Sequence, residues 1–247
     1  MKLSLMQWNV WCEEDIKNTA RFLENHKADI ICLQELSLNY SKQAIKNTPD
    51  YIAKQLAYNY YYKETAINSS DGEKIWLANG IFSKYPITGK KYFWTKDLVI
   101  KGSNINDKCV YIQARINLGK TSIMIGTTHM TYTDRFELTP EKRLETNNLC
   151  GIISNNQKNY ILMGDLNAAP DSYTINTIGA FLNNIGPSFS EKTWTTKPFS
   201  LNGFIENNLN WRLDHIFATT DVRPVTAQVL KTDYSDHLPV WAEVEIE

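Results

Sequence analysis

Polar residues able to do chemistry recur at the ends of apolar runs. Leu5-Met6-Gln7-Trp8 leads to Asn9, and Ile31-Cys32-Leu33-Gln34 leads to Glu35. Met124-Ile125-Gly126-Thr127-Thr128 leads to His129, and Ile161-Leu162-Met163-Gly164 leads to Asp165-Leu166-Asn167. Strand ends of this kind are where an open sheet presents groups to a cleft. Further along, Arg212-Leu213-Asp214-His215 stands at a strand start, and Ser235-Asp236-His237-Leu238-Pro239-Val240 precedes the last strand. Three of the four histidines therefore lie beside carboxylates. A lone strand-end Asp or Asn commonly caps a helix or closes a turn. Six such coincidences in one chain are hard to assign to capping, and the residue types are those of acid, base and hard-metal chemistry.

Competing chemistries lack their signatures. There is no Gly-x-Ser-x-Gly for a serine nucleophile and no His-Glu-x-x-His for zinc, and His129, His215 and His237 are not closely grouped. Gly119-Lys120-Thr121 would need a glycine where Ala114 stands to form a phosphate loop, and a strand rather than a helix follows it.

The elements that must hold these residues are legible from periodicity. Val110, Ile112, Ala114, Ile116 and Leu118 alternate with polar positions across 109 to 118, which predicts a strand with one buried face. The Gly119-Lys120 turn then leads to a second strand at Ser122-Ile123-Met124-Ile125-Gly126, which predicts a hairpin. Val240, Ala242, Val244 and Ile246 repeat the alternation, while Asp29-Ile30-Ile31-Cys32-Leu33 and Tyr160-Ile161-Leu162-Met163 read as strands covered on both faces. Helices are expected after Thr48-Pro49-Asp50 and after Thr139-Pro140-Glu141, each threonine capping and each proline in the first turn. The second of these is expected to turn Leu144, Asn148 and Ile152 to one face. Further helices are expected near 14 to 25 and 172 to 183. Many strands with interspersed helices favour a layered α/β sandwich. Polar, glycine-bearing segments at 66 to 75, 96 to 108 and 184 to 210 are expected to form the rim of the site.

Composition bounds the rest. At 247 residues with 43% hydrophobic content and no linker or repeat, one domain over 1–247 is expected. Lys and Arg number 26 against 27 Asp and Glu, so the formal charge is −1 and no overall positive field is available to hold a polyanion. Cys12, Cys32, Cys109 and Cys150 are scattered and form no Cys-x-x-Cys, which indicates neither zinc nor a disulfide framework. Glu13, Glu14 and Asp15 follow the first residues too soon for a signal peptide, and no apolar stretch nears the roughly 20 residues that cross a bilayer. A cytoplasmic monomer without membrane insertion is the expectation.

Taken together, Trp8-Asn9, Leu33-Gln34-Glu35, Thr128-His129-Met130, Gly164-Asp165-Leu166-Asn167, Arg212-Leu213-Asp214-His215 and Ser235-Asp236-His237-Leu238-Pro239-Val240 resemble the endonuclease/exonuclease/phosphatase family, the DNase I-like hydrolases. The motifs run from Asn9 to Val240 in the family's order. The resemblance implies a four-layer α/β/β/α sandwich, two mostly antiparallel sheets with helices outside, and a magnesium-dependent phosphoesterase for which Mn2+ can substitute. It implies Glu35 as principal metal ligand, Asp236 as the second, and Asn9 supporting the metal site. Asp165 would orient or deprotonate the attacking water, with Asn167 holding Asp165 or the phosphate. His237 would meet the phosphoryl oxygens as an imidazolium with Asp214 as its partner, and His129 would donate to the leaving group or phosphate. His215 reads as structural.

Arg143 is a candidate phosphate contact, against the alternative of a solvated helix face. Trp194, Trp211, Tyr132 and Phe199 are candidates for stacking on a base or sugar, against core or rim packing. The segments Thr193-Trp194-Thr195-Thr196 and Trp211-Arg212-Leu213-Asp214, with Asn202, resemble the tyrosyl-DNA phosphodiesterase type 2 and related nuclease branches, although Thr195 stands where that branch carries an acid. The expected substrate is a phosphate ester, with nucleic acid ahead of a small molecule or lipid such as inositol phosphate or sphingomyelin. A non-catalytic binding module of the same fold is the rival of another class.

Overall fold

Alternation of apolar side chains along the strands produces three separate cores, and these define the layers. The computed structural model describes residues 1–68, 74–99 and 106–246. In chain order the elements are β1 (Lys2–Asn9), α1 (Ile16–His26), β2 (Ile30–Leu38), α2 (Thr48–Leu56), β3 (Asn59–Asn68), β4 (Lys74–Ser83), β5 (Ile87–Val99), β6 (Asn106–Asn117) and β7 (Ser122–His129). They continue with α3 (Pro140–Ile153), β8 (Tyr160–Asp165), α4 (Tyr173–Gly179), β9 (Asn183–Asn184), β10 (Phe199–Leu201), β11 (Phe204–Glu206), β12 (Asp214–Ala218), β13 (Arg223–Val229) and β14 (Val240–Glu245).

One six-stranded sheet runs β13-β14-β1-β2-β4-β3 and the other β5-β6-β7-β8-β12-β9, with β10 and β11 forming a separate hairpin. Each large sheet contains one parallel pair, β1 with β2 and β7 with β8; the remaining pairs are antiparallel. Odd and even positions of a strand face opposite ways. Thus Leu3 and Leu5 of β1, Ile30 and Cys32 of β2, and Ile161 and Met163 of β8 meet between the sheets. Their neighbours face outward: Met6, Trp8, Ile31 and Leu33 pack under α1 and α2, while Tyr160 and Leu162 pack under α3 and α4. The result is the four-layer sandwich that the motifs imply. Truncating a side chain such as Met163 in the seam would cost about 2–5 kcal/mol.

Several local expectations need correction. Asn47, not Thr48, caps α2: its side chain accepts from Asp50 N at 3.1 Å, while Thr48 Oγ1 donates to Ser37 O at 3.0 Å. Thr139 caps α3 as expected, accepting from Lys142 N. The buried face of α3, however, carries Lys142, Glu145, Thr146, Leu149, Cys150 and Ile153, and Leu144 is 56% exposed. The helix expected over 172 to 183 closes at Gly179. Parts of the expected rim at 66 to 75 and 96 to 108 are ends of β3, β4, β5 and β6, and 69–73 and 100–105 lie outside the described residues. Among the described residues no helix is long and apolar enough to cross a membrane.

Candidate active site

Parallel neighbours end at the same edge of a sheet, so two adjacent strand ends can offer side chains to one point. Asn9 at the end of β1 lies opposite Gln34 on β2, one residue before Glu35. In the other sheet His129 at the end of β7 lies opposite Asp165 at the end of β8. Antiparallel β12 begins where β8 ends, which sets Asp214 directly across from Asp165. The two sheets bring both edges together. Glu35 also sits in a register shift between Leu33 and Leu36, with φ +58°. A non-glycine residue there is strained by about 1–3 kcal/mol, and such strain concentrates at functional sites.

Asp165 is the hub. Its Oδ2 accepts from Asn9 Nδ2 at 3.0 Å and lies 3.4 Å from His129 Nε2 and 3.5 Å from His237 Nε2. Its Oδ1 accepts from the amide of Asn167 at 2.9 Å. Asn9 Nδ2 also donates to Glu35 Oε1 at 3.0 Å, and the amide of Cys12 approaches Glu35 Oε2 at 3.3 Å. Asn167 Nδ2 donates to Met130 O at 2.9 Å and meets His129 Nε2 at 3.2 Å. That last contact requires Nε2 to accept; donating to a leaving oxygen requires Nε2 to carry a proton instead.

His237 is gripped from behind. Its Nδ1 meets Asp214 Oδ2 at 2.8 Å. Burial works against a charged imidazole here, but Asp214, Asp165 and Asp236 outweigh it and hold the pKa well above the usual histidine value. Asp214 Oδ1 accepts from Gln7 Nε2 at 3.1 Å, and Gln7 exchanges amide hydrogen bonds with Gln34 at 2.6 and 2.9 Å. Gln34 in turn donates to Thr127 Oγ1 at 2.9 Å. This buried ladder crosses from β1 and β2 to β7 and β12 and keys the two sheets together beneath the site. Neither glutamine is visible as a site residue in the sequence, where both read as strand interior; the amides flanking Trp8 and Glu35 are the only signal.

Asp236 is fixed by Trp194, whose Nε1 donates to Oδ2 at 3.0 Å. Burial, then the charges of Glu35 and Asp165, raise its pKa, and His237 opposes them. Ser235 ties this tail to β1 by donating to Asn9 O at 2.7 Å and accepting from His237 N at 3.0 Å. Trp194 is buried in an aromatic cluster with Phe136, Phe204, Tyr132, Phe199 and Trp211. It therefore acts here as a support for Asp236, and the stacking surface expected of it is taken up by protein; Tyr132, Phe199 and Trp211 remain partly open.

Arg143 is displaced from the expected role. It is exposed and lies over the Tyr173 ring at 4.1 Å, on the outward side of α3. Its neighbour Lys142, 3% exposed, points inward, and Nζ donates to Thr131 O at 2.7 Å and Leu166 O at 2.8 Å. Glu145, also buried, accepts from Thr131 N at 3.3 and 3.2 Å. One turn of α3 thus clamps the chain just after His129 and the residue between Asp165 and Asn167. Sequence reading missed this pair because buried charges are rare and charged helix positions read as solvated. His215 is fully buried, contacts Ala168 O through Nε2 at 3.3 Å, and burial pushes its pKa down to about 3. Arg212, buried as well, donates Nε to Asp214 O at 2.6 Å.

The donor set fits a hard divalent cation. Glu35, Asp165, Asp214 and Asp236 gather around imidazoles, and the ion pairs among them are all with His129 or His237. Asp165, Asp214 and His237 each bring a ligand atom within 4.8 Å of the others, but the Asp214 carboxylate is already bonded through Oδ2 to His237 Nδ1 and through Oδ1 to Gln7. The Glu35 side chain is 18% exposed, against 1% for Asp165 and none for Asp214. Carboxylate oxygens with an amide nearby suit magnesium or manganese over softer metals.

A sequence profile described as the Endonuclease/Exonuclease/phosphatase family matches residues 6–237. No curated protein sequence matches the chain. Among solved structures, an endonuclease/exonuclease/phosphatase from Beutenbergia cavernae DSM 12333 aligns over 99% of this chain and 72% of its own, with 16% identity and a TM-score of 0.76. A mannosyl-6-phosphatase from Bacteroides thetaiotaomicron VPI-5482 aligns over 99% and 100%, with 17% identity and a TM-score of 0.67. The D. rerio TDP2 complexed with single-strand DNA product aligns over 99% of both chains, with 17% identity and a TM-score of 0.64. At these identities the likeness is one of fold.

Proposed function

The chain belongs to the endonuclease/exonuclease/phosphatase family of phosphate-ester hydrolases, and from that premise we propose that it is a magnesium-dependent phosphodiesterase acting on nucleic acid. The observation that carries the reading is the convergence of Asn9, His129 and His237 on one carboxylate oxygen of Asp165, with Glu35 joined to the same point through Asn9. We further propose that residues 1–247 work as one domain, as a monomer in the cytoplasm.

Hydrolysis of a phosphate ester needs a positioned water, donors to the phosphoryl oxygens and help for the leaving oxygen. Asp165, pinned by Asn9 and the Asn167 amide, presents a fixed acceptor that can orient the water and take its proton. His237, kept protonated by Asp214, turns Nε2–H toward the phosphoryl oxygens and supplies positive charge where negative charge develops. His129 stands on the other side of Asp165, within reach of the leaving oxygen once Nε2 is protonated. Glu35 and Asp236 would hold the cation, with Asn9 steadying Glu35; when bound, magnesium neutralises charge on the non-bridging and leaving oxygens.

Nucleic acid is favoured by the partly open aromatic side chains packed around Trp194, which can stack on a base, and by the shared fold of the DNA-bound TDP2. A formal charge of −1 favours the second reading, a small-molecule phosphoester, and a mannosyl-6-phosphatase shares the fold. Bis(4-nitrophenyl) phosphate, 4-nitrophenyl phosphate and a single-stranded oligonucleotide separate these. Chelator-sensitive turnover of the diester and the oligonucleotide above the monoester supports the proposal. Preference for the monoester selects the second reading, and ligand binding without any chelator-sensitive turnover identifies a binding module.

A further inference from the structure

A cavity of about 320 Å3 opens beside Glu35 and His129, and neither Asp236 nor His237 lines it. It therefore lies to one side of the cluster, next to the imidazole placed nearest the leaving oxygen. Its volume is at the lower end of ligand sites, enough for about one substituted ring. A duplex or a long acyl chain does not fit such an enclosure.

The lining selects among single rings. Lys108 supplies the cation, but its Nζ pairs with Asp97 at 2.6 Å and lies 5.3 Å from the Trp94 ring centroid, so its charge is already matched. The cavity is therefore not equipped for a second phosphate. Asn79, buried in the wall, donates Nδ2 to Val110 O at 2.8 Å, which fixes the amide and leaves Oδ1 as an acceptor without a partner among the described residues. Thr65 adds a hydroxyl with no partner among the described residues, and the Tyr132 ring adds a flat apolar surface. Acceptors paired with an aromatic face suit a ring that carries hydroxyl donors on an apolar C–H skeleton. That description is a sugar.

We propose that this cavity is a subsite for a single sugar unit whose phosphate sits at the Glu35 and Asp165 cluster. The proposal rests on the phosphoesterase reading for the place of the phosphate, and the sugar belongs either to a terminal nucleotide or to a free hexose phosphate. Thr65 and Asn79 then determine specificity by hydrogen bonding ring hydroxyls, and the enzyme engages its substrate one unit at a time.

The test is calorimetric binding of thymidine 5′-monophosphate, glucose 6-phosphate and inorganic phosphate to the full chain with magnesium, alongside turnover of methyl 4-nitrophenyl phosphate. At least one sugar phosphate should bind about tenfold or more tightly than inorganic phosphate, the worth of one to two added hydrogen bonds. Thr65→Phe, which fills the cavity, should remove that margin, and Thr65→Val, nearly isosteric, should reduce it several-fold; if Thr65→Phe fails to fold, Thr65→Val decides. Which sugar phosphate binds identifies the source. Equal affinity for sugar phosphates and inorganic phosphate, or a margin that survives in the folded variants, overturns the subsite. Sugar-phosphate binding that responds to Thr65 without hydrolysis of the methyl diester leaves the subsite standing and removes the phosphodiesterase reading instead.

Discussion

Replacing Asp214 by Asn should convert His237 from a cation into a neutral group while leaving the fold nearly intact. The Asp214 carboxylate accepts two hydrogen bonds, from Gln7 Nε2 at 3.1 Å and from His237 Nδ1 at 2.8 Å. An asparagine has one acceptor oxygen. If its amide group faced Gln7, two donors would meet, at a cost of about 1–3 kcal/mol. The favoured arrangement keeps the oxygen on Gln7 and turns the amide toward His237, which is satisfied only when Nδ1 is bare and the proton sits on Nε2. The imidazole then still donates, but without its charge. Loss of one such transition-state interaction lowers turnover about 10²-fold, or roughly 2.7 kcal/mol.

The assay is kcat/KM against pH on a chromogenic diester at saturating magnesium. In the wild type, activity that needs imidazolium is lost as pH rises through the elevated His237 pKa, and in the variant that alkaline limb should move to lower pH because the largest charge raising the pKa is gone. Stability carries the same sign. A histidine whose folded pKa is raised stabilises the protein fully below its unfolded pKa of about 6.5, and that contribution fades as pH rises through the folded value. The variant should therefore lose more stability in mild acid than in alkali. Turnover within twofold of wild type at neutral pH, or an alkaline limb in the same place, would refute the assignment of Asp214 and His237 as a charged pair.

Glu35→Gln should raise the magnesium concentration for half-maximal rate by about tenfold or more, since even supporting residues of metal sites cost 10- to 100-fold; an unchanged magnesium titration removes Glu35 as a ligand. Lys142→Met leaves Thr131 O and Leu166 O without their donor and Glu145 buried without a counter-charge, and should cost about 3–5 kcal/mol in denaturant unfolding. Lys142→Arg, which keeps the charge, should recover part of that stability, and an unfolding midpoint equal to wild type in Lys142→Met would contradict the clamp. His215→Phe should flatten the acid side of the stability profile. A histidine with its pKa depressed to about 3 contributes stability above its unfolded pKa that is lost as pH falls from about 6.5 toward 3, and equal acid sensitivity in variant and wild type would exclude that source.

What the sequence made legible follows from which signals are one-dimensional. Asn9, Glu35, His129 and Asp165 stood out because each closes an apolar run, and a strand end is a place that alternation alone can identify. Asp214 and Asp236 to His237 were visible for the same reason on the entering side of β12 and β14. Gln7 and Gln34 were not, because an amide inside a strand looks the same whether it faces water or bridges two sheets. Lys142 and Glu145 carry no signal of burial in the sequence, because apolar periodicity takes the inner face of α3 from Leu144 and Ile152 and is blind to charged residues that face inward. Trp194 reads equally as a stacking surface or as packing because sequence shows an aromatic ring but not the five other aromatic side chains that surround it. The hairpin of β10 and β11 was read only as rim, its strands being three residues each and too short for any period to register.

The single parallel pair in each sheet has a mechanical corollary. The acid and amide of Asn9 and Glu35 are mounted on one leaf, the imidazoles and acids of His129, Asp165 and Asp214 on the other, with Gln7 and Gln34 as the pins of the binding. Such an assembly behaves as a gauge of its own spine. Wedging an extra methylene into the seam at Ala114 or Ala242 would be felt at the open margin as misalignment between the two halves, so the rate should decline at temperatures where the fold as a whole is still intact.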